Sequence, residues 1–142
     1  MIAVRQATER DYPAIARIQS VCPEAAQWPV GDYSNYATLI AHTDARPVGF
    51  CAWRQVTPEE AELLNLAVDP AARRMGVASA LLAALGQAAR GEIFLEVAEA
   101  NNSALGLYKK HGWSPVSVRK GYYQNGSINA VVMKKGSWYS PG

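Results

Sequence analysis

The sequence predicts an α/β protein in which helices are layered against a central sheet. Short apolar stretches separated by turn residues dominate its first half, and two segments with helical spacing follow, at 77–90 and 101–112. The 142 residues are 49% hydrophobic, and the apolar residues are spread from end to end, which is enough for one ordinary core. We therefore expect a single domain over residues 1–135 and a frayed tail over 136–142.

The first half is predicted to hold one helix and most of the strands. Residues 2–8 have the composition of a strand, and Thr8 can cap a helix whose positions 12, 15, 18 and 19 follow helical spacing until Pro23 closes it. A loop over 22–32 surrounds Trp28 and leads to a short helix at 33–39. Two apolar runs, 38–42 and 47–53, flank a hairpin turn at 43–46, and 61–69 completes this meander.

The second half alternates helices with strands. One apolar stripe on the helix 77–90 consists of Val77, Leu81, Leu82 and Leu85, and Gly91 stops that helix. The strand 92–97 alternates, so that Ile93, Leu95 and Val97 share one face and Phe94 and Glu96 the other. Gly112 ends the helix that begins at Asn101, and two strands surround residues 119–129.

Composition excludes several classes of function. The 14 basic and 12 acidic side chains leave a net charge of +2 without a long basic run, so a general nucleic-acid binder is not expected. The start lacks the features of a secretory signal, and no apolar stretch reaches membrane-spanning length, which predicts a cytoplasmic protein without a membrane partner. Cys22 and Cys51 stand alone, which predicts buried free thiols and no metal site.

The stretch LNLAVDPAARRMGVASALL raises the question of function. A helix that begins at Gly76 offers backbone N–H groups without intrahelical partners, together with the positive end of its dipole. Gly76 lets a ligand approach the backbone, Ala78 keeps the next turn small, and Arg73 and Arg74 add positive charge. On these features alone, an anion site and a plain strand-to-helix turn both remain open.

A resemblance favours the anion site. The segment RRMGVA is similar to the signature Arg/Gln-x-x-Gly-x-Gly/Ala of the Gcn5-related N-acetyltransferase (GNAT) family, in which this turn holds the pyrophosphate of acetyl-coenzyme A (acetyl-CoA). Further stretches resemble the RimI group of that family, the ribosomal-protein-alanine N-acetyltransferases: VRQATERDYPAIARIQ, AELLNLAVDPAARRMGVASALL, LEVAEANNSALGLYKKHGW, RKGYY and NAVVMKK. The resemblance covers nearly the whole chain. It implies a mixed, mostly antiparallel sheet flanked by helices, with a splayed strand pair at the acetyl-CoA site.

The resemblance also implies which residues bind acetyl-CoA. The backbone of the splayed strand would hold the thioester arm at Leu66, Ala67 and Val68. The pyrophosphate turn would consist of Arg73, Arg74, Met75, Gly76, Val77, Ala78 and Ser79. Asn101 matches a family asparagine that contacts acetyl-CoA, and a plain helix cap is its other ordinary role.

The same resemblance assigns the proton transfers. The acceptor amine must lose a proton before it attacks the thioester, and the departing thiolate must gain one. Glu96 matches the family's general base, acting directly or through a water, and Tyr108 matches its general acid. From the residues alone, Glu96 beside Phe94 should be partly desolvated, with a solvated or salt-bridged glutamate as the alternative. Tyr108 lies three residues after Leu105, where a core tyrosine is the alternative.

The acceptor implied by the RimI resemblance is the N-terminal α-amino group of a protein such as ribosomal protein bS18. Trp28, Tyr122 and Tyr123 match the walls of the family's acceptor groove, and core packing is the alternative for each. Three further positions differ from the RimI group and concern the peptide rather than the cofactor: Ala98, Ala100 and Asn129.

Other functions stay open on the sequence. The same chemistry could act on a small-molecule amine or on a lysine side chain, and a non-catalytic sensor of acyl-CoA is the alternative from another class. A sensor would need neither Glu96 nor Tyr108. The absence of a basic partner beside Cys51 favours direct attack over an acetyl-enzyme. Monomer and homodimer are both compatible with the sequence.

Overall fold

The computed structural model describes residues 1–44, 46–123 and 128–135 of the chain. Of Tyr122 and Tyr123 it describes the backbone and not the side chains. The described strands β1 to β7 are Ile2–Gln6, Ala37–Thr43, Arg46–Thr57, Glu60–Val68, Glu92–Ala98, Ser114–Tyr123 and Ile128–Lys135. The helices α1 to α3 are Tyr12–Ser20, Val77–Ala88 and Asn102–Lys110.

The strands form one mixed sheet in the order β1-β2-β3-β4-β5-β7-β6. Neighbours β1 and β2, β2 and β3, β5 and β7, and β6 and β7 pair antiparallel, whereas β4 and β5 pair in parallel. The predicted layered α/β class with a mostly antiparallel mixed sheet is therefore confirmed. The parallel pair of β4 and β5 places Glu60–Glu62 opposite Glu92–Phe94.

One predicted element is confirmed only in part. The short helix expected over residues 33–39 is a 3₁₀ helix over Val30–Asn35, and the residues from Ala37 onward belong to β2. Thr38 and Leu39 lie opposite Ala52 and Cys51 of β3, and Leu39 also lies opposite Gln6 of β1. Partners on both sides satisfy the backbone of this segment, and this tertiary pairing outweighs its weak local helical preference.

One helix end moved slightly, and the predicted hairpin is confirmed. α2 ends at Ala88 rather than at residue 90, since Ala89 already has an extended backbone. β2 and β3 pair antiparallel with Thr43 opposite Arg46, at the predicted turn 43–46, of which Ala45 lies outside the described residues. The predicted tail 136–142 also lies outside them.

Contacts divide the chain into two compact units. The first comprises Met1–Arg54 and Leu63–Ala89, and the second comprises Gln55–Glu62 and the described residues from Arg90 onward. The expectation of a single domain over residues 1–135 stays a prediction. No helix in the described ranges is long and apolar enough to cross a bilayer.

In the first unit, α1 and α2 cover opposite faces of the sheet. Phe50 of β3 packs in one cluster with Ile15 and Ile18 of α1, whereas its neighbour Gly49 lies under Val77 of α2. Successive strand residues point to opposite faces, so the two helices must lie on different sides. The predicted apolar stripe of α2 is confirmed, because all four of its residues are buried: Val77, Leu81, Leu82 and Leu85.

In the second unit, β5 supplies the core as its alternation predicts. Ile93, Leu95 and Val97 are buried, together with Met133 of β7 and Trp113 just before β6. Trp113 stands edge-on to Tyr108 of α3, with ring centroids 5.6 Å apart. The two cysteines belong to the first unit, and both are buried free thiols, as predicted.

Candidate active site

The chain leaves β4 of the first unit through a firmly held turn at Asp69. Its backbone N–H donates to the carbonyl of Val48 at 2.8 Å, and its buried carboxylate accepts from the N–H of Ala71 at 3.0 Å and from Arg17 at 2.9 Å. These donors favour the ionised form and hold the pKa of Asp69 below its usual value. The start of the following turn is thereby fixed relative to β3 and α1.

Two residues of the turn itself have left-handed backbones. Arg74 has a φ of 67° and Gly76 a φ of 85°, and Met75 between them is exposed. Gly76 is the N-cap of α2, and the first helical bond runs from the N–H of Ala80 to its carbonyl at 3.0 Å. The N–H groups before Ala80 thus lie at the positive end of the helix.

The two arginines of the turn differ in their surroundings. The guanidinium of Arg73 forms an ion pair with Glu24 and a weak bond to the carbonyl of Val68 at 3.4 Å, whereas Arg74 is exposed on the surface. Both partners of the ion pair are about half exposed. The structure therefore turns Arg73 toward the loop after α1, and Arg74 remains at the mouth of the turn.

That loop carries the predicted acceptor residue Trp28. Its half-buried ring lies against Tyr33 and Tyr36, with centroids 5.0 and 5.3 Å away, and its carbonyl accepts from the amide of Gln19 at 2.8 Å. Trp28 thus has the core-packing role that was the alternative to acceptor binding. This packing does not prevent Trp28 from also lining an acceptor groove. Tyr122 and Tyr123 end β6, and their side chains lie outside what the structure describes.

In the second unit, Glu96 lies on the face of β5 opposite its buried residues. The side chain is 25% exposed, so the predicted partial desolvation is present. Arg119 of β6 reaches it across β7 and donates from Nη1 to Oε1 at 2.7 Å. The salt-bridged alternative for Glu96 is therefore realised, because an ion pair of this length is a strong, charge-assisted hydrogen bond.

The other two predicted residues of this unit sit on α3. Asn101 caps the helix, since its Oδ1 accepts from the N–H of Ala104 at 3.1 Å. The cap occupies the amide oxygen and leaves the nitrogen donors for another role. Tyr108 is only 8% exposed and packs on Trp113, so its alternative as a core tyrosine is also realised.

Sequence reasoning missed several polar groups that belong to these surroundings. Arg119 and Glu24 are the partners of Glu96 and Arg73, and Asn129 bridges the N–H of Gly121 at 2.9 Å and the carboxylate of Glu99 at 3.2 Å. These pairs cannot be predicted from the spacing of residues in the sequence, because they depend on which strands and loops become neighbours in the fold. Of these residues, the sequence marked only Asn129, as a position where the chain differs from the RimI group.

The remaining features of the described residues do not compete with these sites. A small cavity of the first unit contains none of the predicted site residues and is lined by Gln6, Ala37, Thr38, Leu39, Trp53 and Ala88. No group of three His, Cys, Asp or Glu side chains in the described ranges is arranged to hold a metal ion. The predicted acetyl-CoA residues from Leu66 to Ser79 belong to the first unit, and Glu96, Asn101 and Tyr108 belong to the second.

Comparison with known proteins identifies the class of this protein. A model of the acetyltransferase (GNAT) family matches residues 1–113, and the chain belongs to this family of acetyl-CoA-dependent N-acetyltransferases. It is 44% identical over 137 residues to the ribosomal protein bS18-alanine N-acetyltransferase of Haemophilus ducreyi, covering 88% of this chain and 93% of that protein. It is 37% identical over 101 residues to the N-alpha-acetyltransferase RimI of Mycobacterium tuberculosis, covering 70% and 61%.

Solved structures show the same fold. The ribosomal-protein-S18-alanine N-acetyltransferase of Escherichia coli matches with a TM-score of 0.82 and 25% identity, over 99% of this chain and 96% of that one. Ard1 of Thermoplasma volcanium matches with a TM-score of 0.85 and 26% identity, over 97% and 99%. The predicted membership of the GNAT family, with similarity to the RimI group, is therefore confirmed.

Proposed function

We propose that this protein acetylates the N-terminal α-amino group of a bS18-like ribosomal protein in the cytoplasm. The acceptor is supported by the relatives named for bS18-alanine acetylation, above all by the 44% identity that extends over 88% of the chain. Energetics point the same way. Deprotonating an α-amino group with a pKa of about 8 costs roughly 1.4 kcal/mol at pH 7, whereas a lysine near 10.4 costs roughly 4.6 kcal/mol.

The observation that carries the donor half is the turn from Arg73 to Ser79. Its two left-handed residues, its exposure and its position at the start of α2 suit a pyrophosphate. The resemblance assigns the thioester arm to Leu66–Val68, which end β4 just before this turn. Their backbone groups would hold the thioester arm, and Asn101 would contribute its amide nitrogen to the same ligand.

The proposed reaction is a direct acyl transfer. The neutral α-amine attacks the thioester carbonyl carbon, the new C–N bond forms, and the C–S bond breaks. Glu96 takes the proton that the ammonium loses before the attack, and Tyr108 gives its phenolic proton to the departing thiolate. The proton that the nitrogen loses as the amide forms returns Tyr108 to its phenol form through solvent. The bond to Arg119 uses Oε1 of Glu96, and a carboxylate has a second oxygen that can accept the proton.

Thiol release from acetyl-CoA tests the function directly. The purified protein is incubated with a peptide that copies the N-terminus of bS18, with the same peptide blocked at its α-amine, and with lysine peptides and polyamines. We expect transfer to the free N-terminus and not to the blocked twin, with the acetyl group located by mass spectrometry. Transfer to lysine or polyamines alone would replace the proposed acceptor, and acetyl-CoA binding without transfer to any amine would favour a sensor.

Two variants on β5 test the base. Glu96→Gln should lower kcat by about 10²- to 10⁴-fold with acetyl-CoA affinity retained, as expected for loss of general base catalysis. Glu92→Gln is the matched control, because Glu92 lies on the same face of the strand and is also ion-paired, with Lys134 at 2.9 Å. Equal losses in the two variants would contradict the role of Glu96. Tyr108→Phe examines the acid by the same assay.

A further inference from the structure

A buried amide of the first unit binds the loop that carries Trp28. Asn65 lies on β4 and is 6% exposed, and its side-chain amide pairs with the backbone of a loop residue. Its Oδ1 accepts from the N–H of Ala26 at 3.1 Å, and its Nδ2 donates to the carbonyl of Ala26 at 3.0 Å. A buried amide that satisfies both backbone groups of one loop residue fixes the position of that residue.

The second N–H of the same amide starts a chain of hydrogen bonds to Trp28. Asn65 donates to the hydroxyl of Tyr33 at 2.9 Å, Tyr33 donates to Oε1 of Gln19, and Gln19 donates to the carbonyl of Trp28. Burial raises the pKa of Tyr33 to about 12, so its hydroxyl keeps the proton that it donates. The loop is thus held at Ala26 and at Trp28 by one connected network.

We propose that Asn65 is a positioning residue for the acceptor, because it fixes the loop around Trp28 from the strand proposed to hold the thioester arm. This inference rests on the proposed function, in which that loop forms a wall of the acceptor groove. Asn65 directly precedes Leu66, so donor and acceptor are both positioned by β4. Only an amide offers one acceptor and two donors at this point, whereas aspartate offers no N–H and would face the carbonyl of Ala26.

Asn65→Asp tests this role, with Asn35→Asp as the matched control. Asn35 is an exposed asparagine of the same unit, so its variant makes the same chemical change on the surface. We expect Asn65→Asp to raise the KM for the acceptor peptide about tenfold or more, since it leaves buried partners unsatisfied. The affinity for acetyl-CoA should change less than about twofold. Asn35→Asp should change neither quantity.

Hydrogen exchange tests the clamp without any acceptor. The amide of Ala26 should exchange faster in Asn65→Asp than in the native protein, and amides of α2 should not. This measurement separates the positioning role of Asn65 from the proposed function. A native protein that acetylates no peptide would refute the proposed function, whereas exchange at Ala26 would still show whether Asn65 holds the loop. Unchanged exchange at Ala26, or an unchanged acceptor KM in an active enzyme, would overturn the inference.

Tyr33→Phe covers the case in which Asn65→Asp does not fold. It removes only the hydroxyl between Asn65 and Gln19 and retains the aromatic packing on Trp28. We expect a smaller rise of the acceptor KM with acetyl-CoA affinity retained. A parallel loss of acetyl-CoA affinity would refute the positioning role, because it would show a general loss of structure.

Discussion

Gly49 determines how closely α2 approaches the sheet, and Gly49→Ala tests whether the pyrophosphate turn depends on that approach. A Cβ at this position would lie 2.8 Å from Cγ1 of Val77, 3.0 Å from the carbonyl oxygen of Ala67 and 3.3 Å from Cδ1 of Leu81. Val77 is the first residue of α2 and directly follows the N-cap Gly76. An added methyl group therefore presses on the end of the helix that is proposed to bind phosphate.

The magnitude follows from these distances. Carbon atoms prefer about 3.5 Å or more, so the start of α2 must move outward by roughly 0.7 Å. Overpacking of this kind costs about 1–3 kcal/mol, and the loss of glycine entropy in the unfolded chain offsets about 0.4–1 kcal/mol. A net loss of up to about 2.5 kcal/mol lowers Tm by up to roughly 8 °C in a chain of this size. Misplaced N–H donors should weaken acetyl-CoA binding about tenfold.

Calorimetric unfolding and titration with acetyl-CoA measure the two effects. Gly86→Ala is the control, because Gly86 lies in the same helix, is exposed, and has no atom within 4 Å of an added Cβ. Alanine is the better helix former there, so this variant should gain about 0.5–1 kcal/mol and bind acetyl-CoA as the native protein does.

Two outcomes would refute the reasoning about Gly49. Native Tm and native affinity in Gly49→Ala would show that α2 can shift without cost. A lowered Tm with native affinity would show that the seating of α2 matters for stability and that the ligand does not depend on the position of its first turn.

Two further predictions concern ion pairs of the first unit. Arg5 donates twice to the buried carboxylate of Asp11, at 2.8 and 2.7 Å, and lowers its pKa from 3.8 to about 2. A depressed pKa adds stability that is present above the unfolded pKa and is lost as the pH falls through the folded one. Asp11→Asn should therefore cost about 2 kcal/mol in urea unfolding at pH 7, and the difference from the native protein should close between pH 4 and pH 2, whereas a constant difference would contradict the linkage. Glu24→Gln should release Arg73 toward the pyrophosphate and raise the affinity for acetyl-CoA a few-fold, as measured by titration. The free energy of unfolding should change by less than about 1 kcal/mol, because the ion pair is half exposed. Weaker binding of acetyl-CoA would show that the ion pair itself shapes the turn.

Local patterns predicted much of the fold and part of the site. The stripe of α2 and the alternation of β5 follow from the helical and strand periods, and the left-handed Gly76 follows from the freedom of glycine at a turn. The family signature assigns the anion-binding turn to residues 73–79, and that assignment stays a prediction. The predicted end of the short helix at 33–39 was wrong, because residues 37–39 pair with strands that are distant in sequence, and local composition does not report such partners.

The sequence by itself determined the class of this protein, the order of most of its elements, the two buried thiols and the turn before α2, because each depends on residue type and short-range spacing. Tertiary structure alone decided which polar groups pair with each other. Glu96 forms an ion pair with Arg119 across β7, Arg73 forms one with Glu24, and the amide of Asn65 forms hydrogen bonds with the loop around Trp28. These contacts join elements 23 to 49 residues apart. Their geometry is set by sheet register and by the burial of polar groups, which are properties of the whole fold.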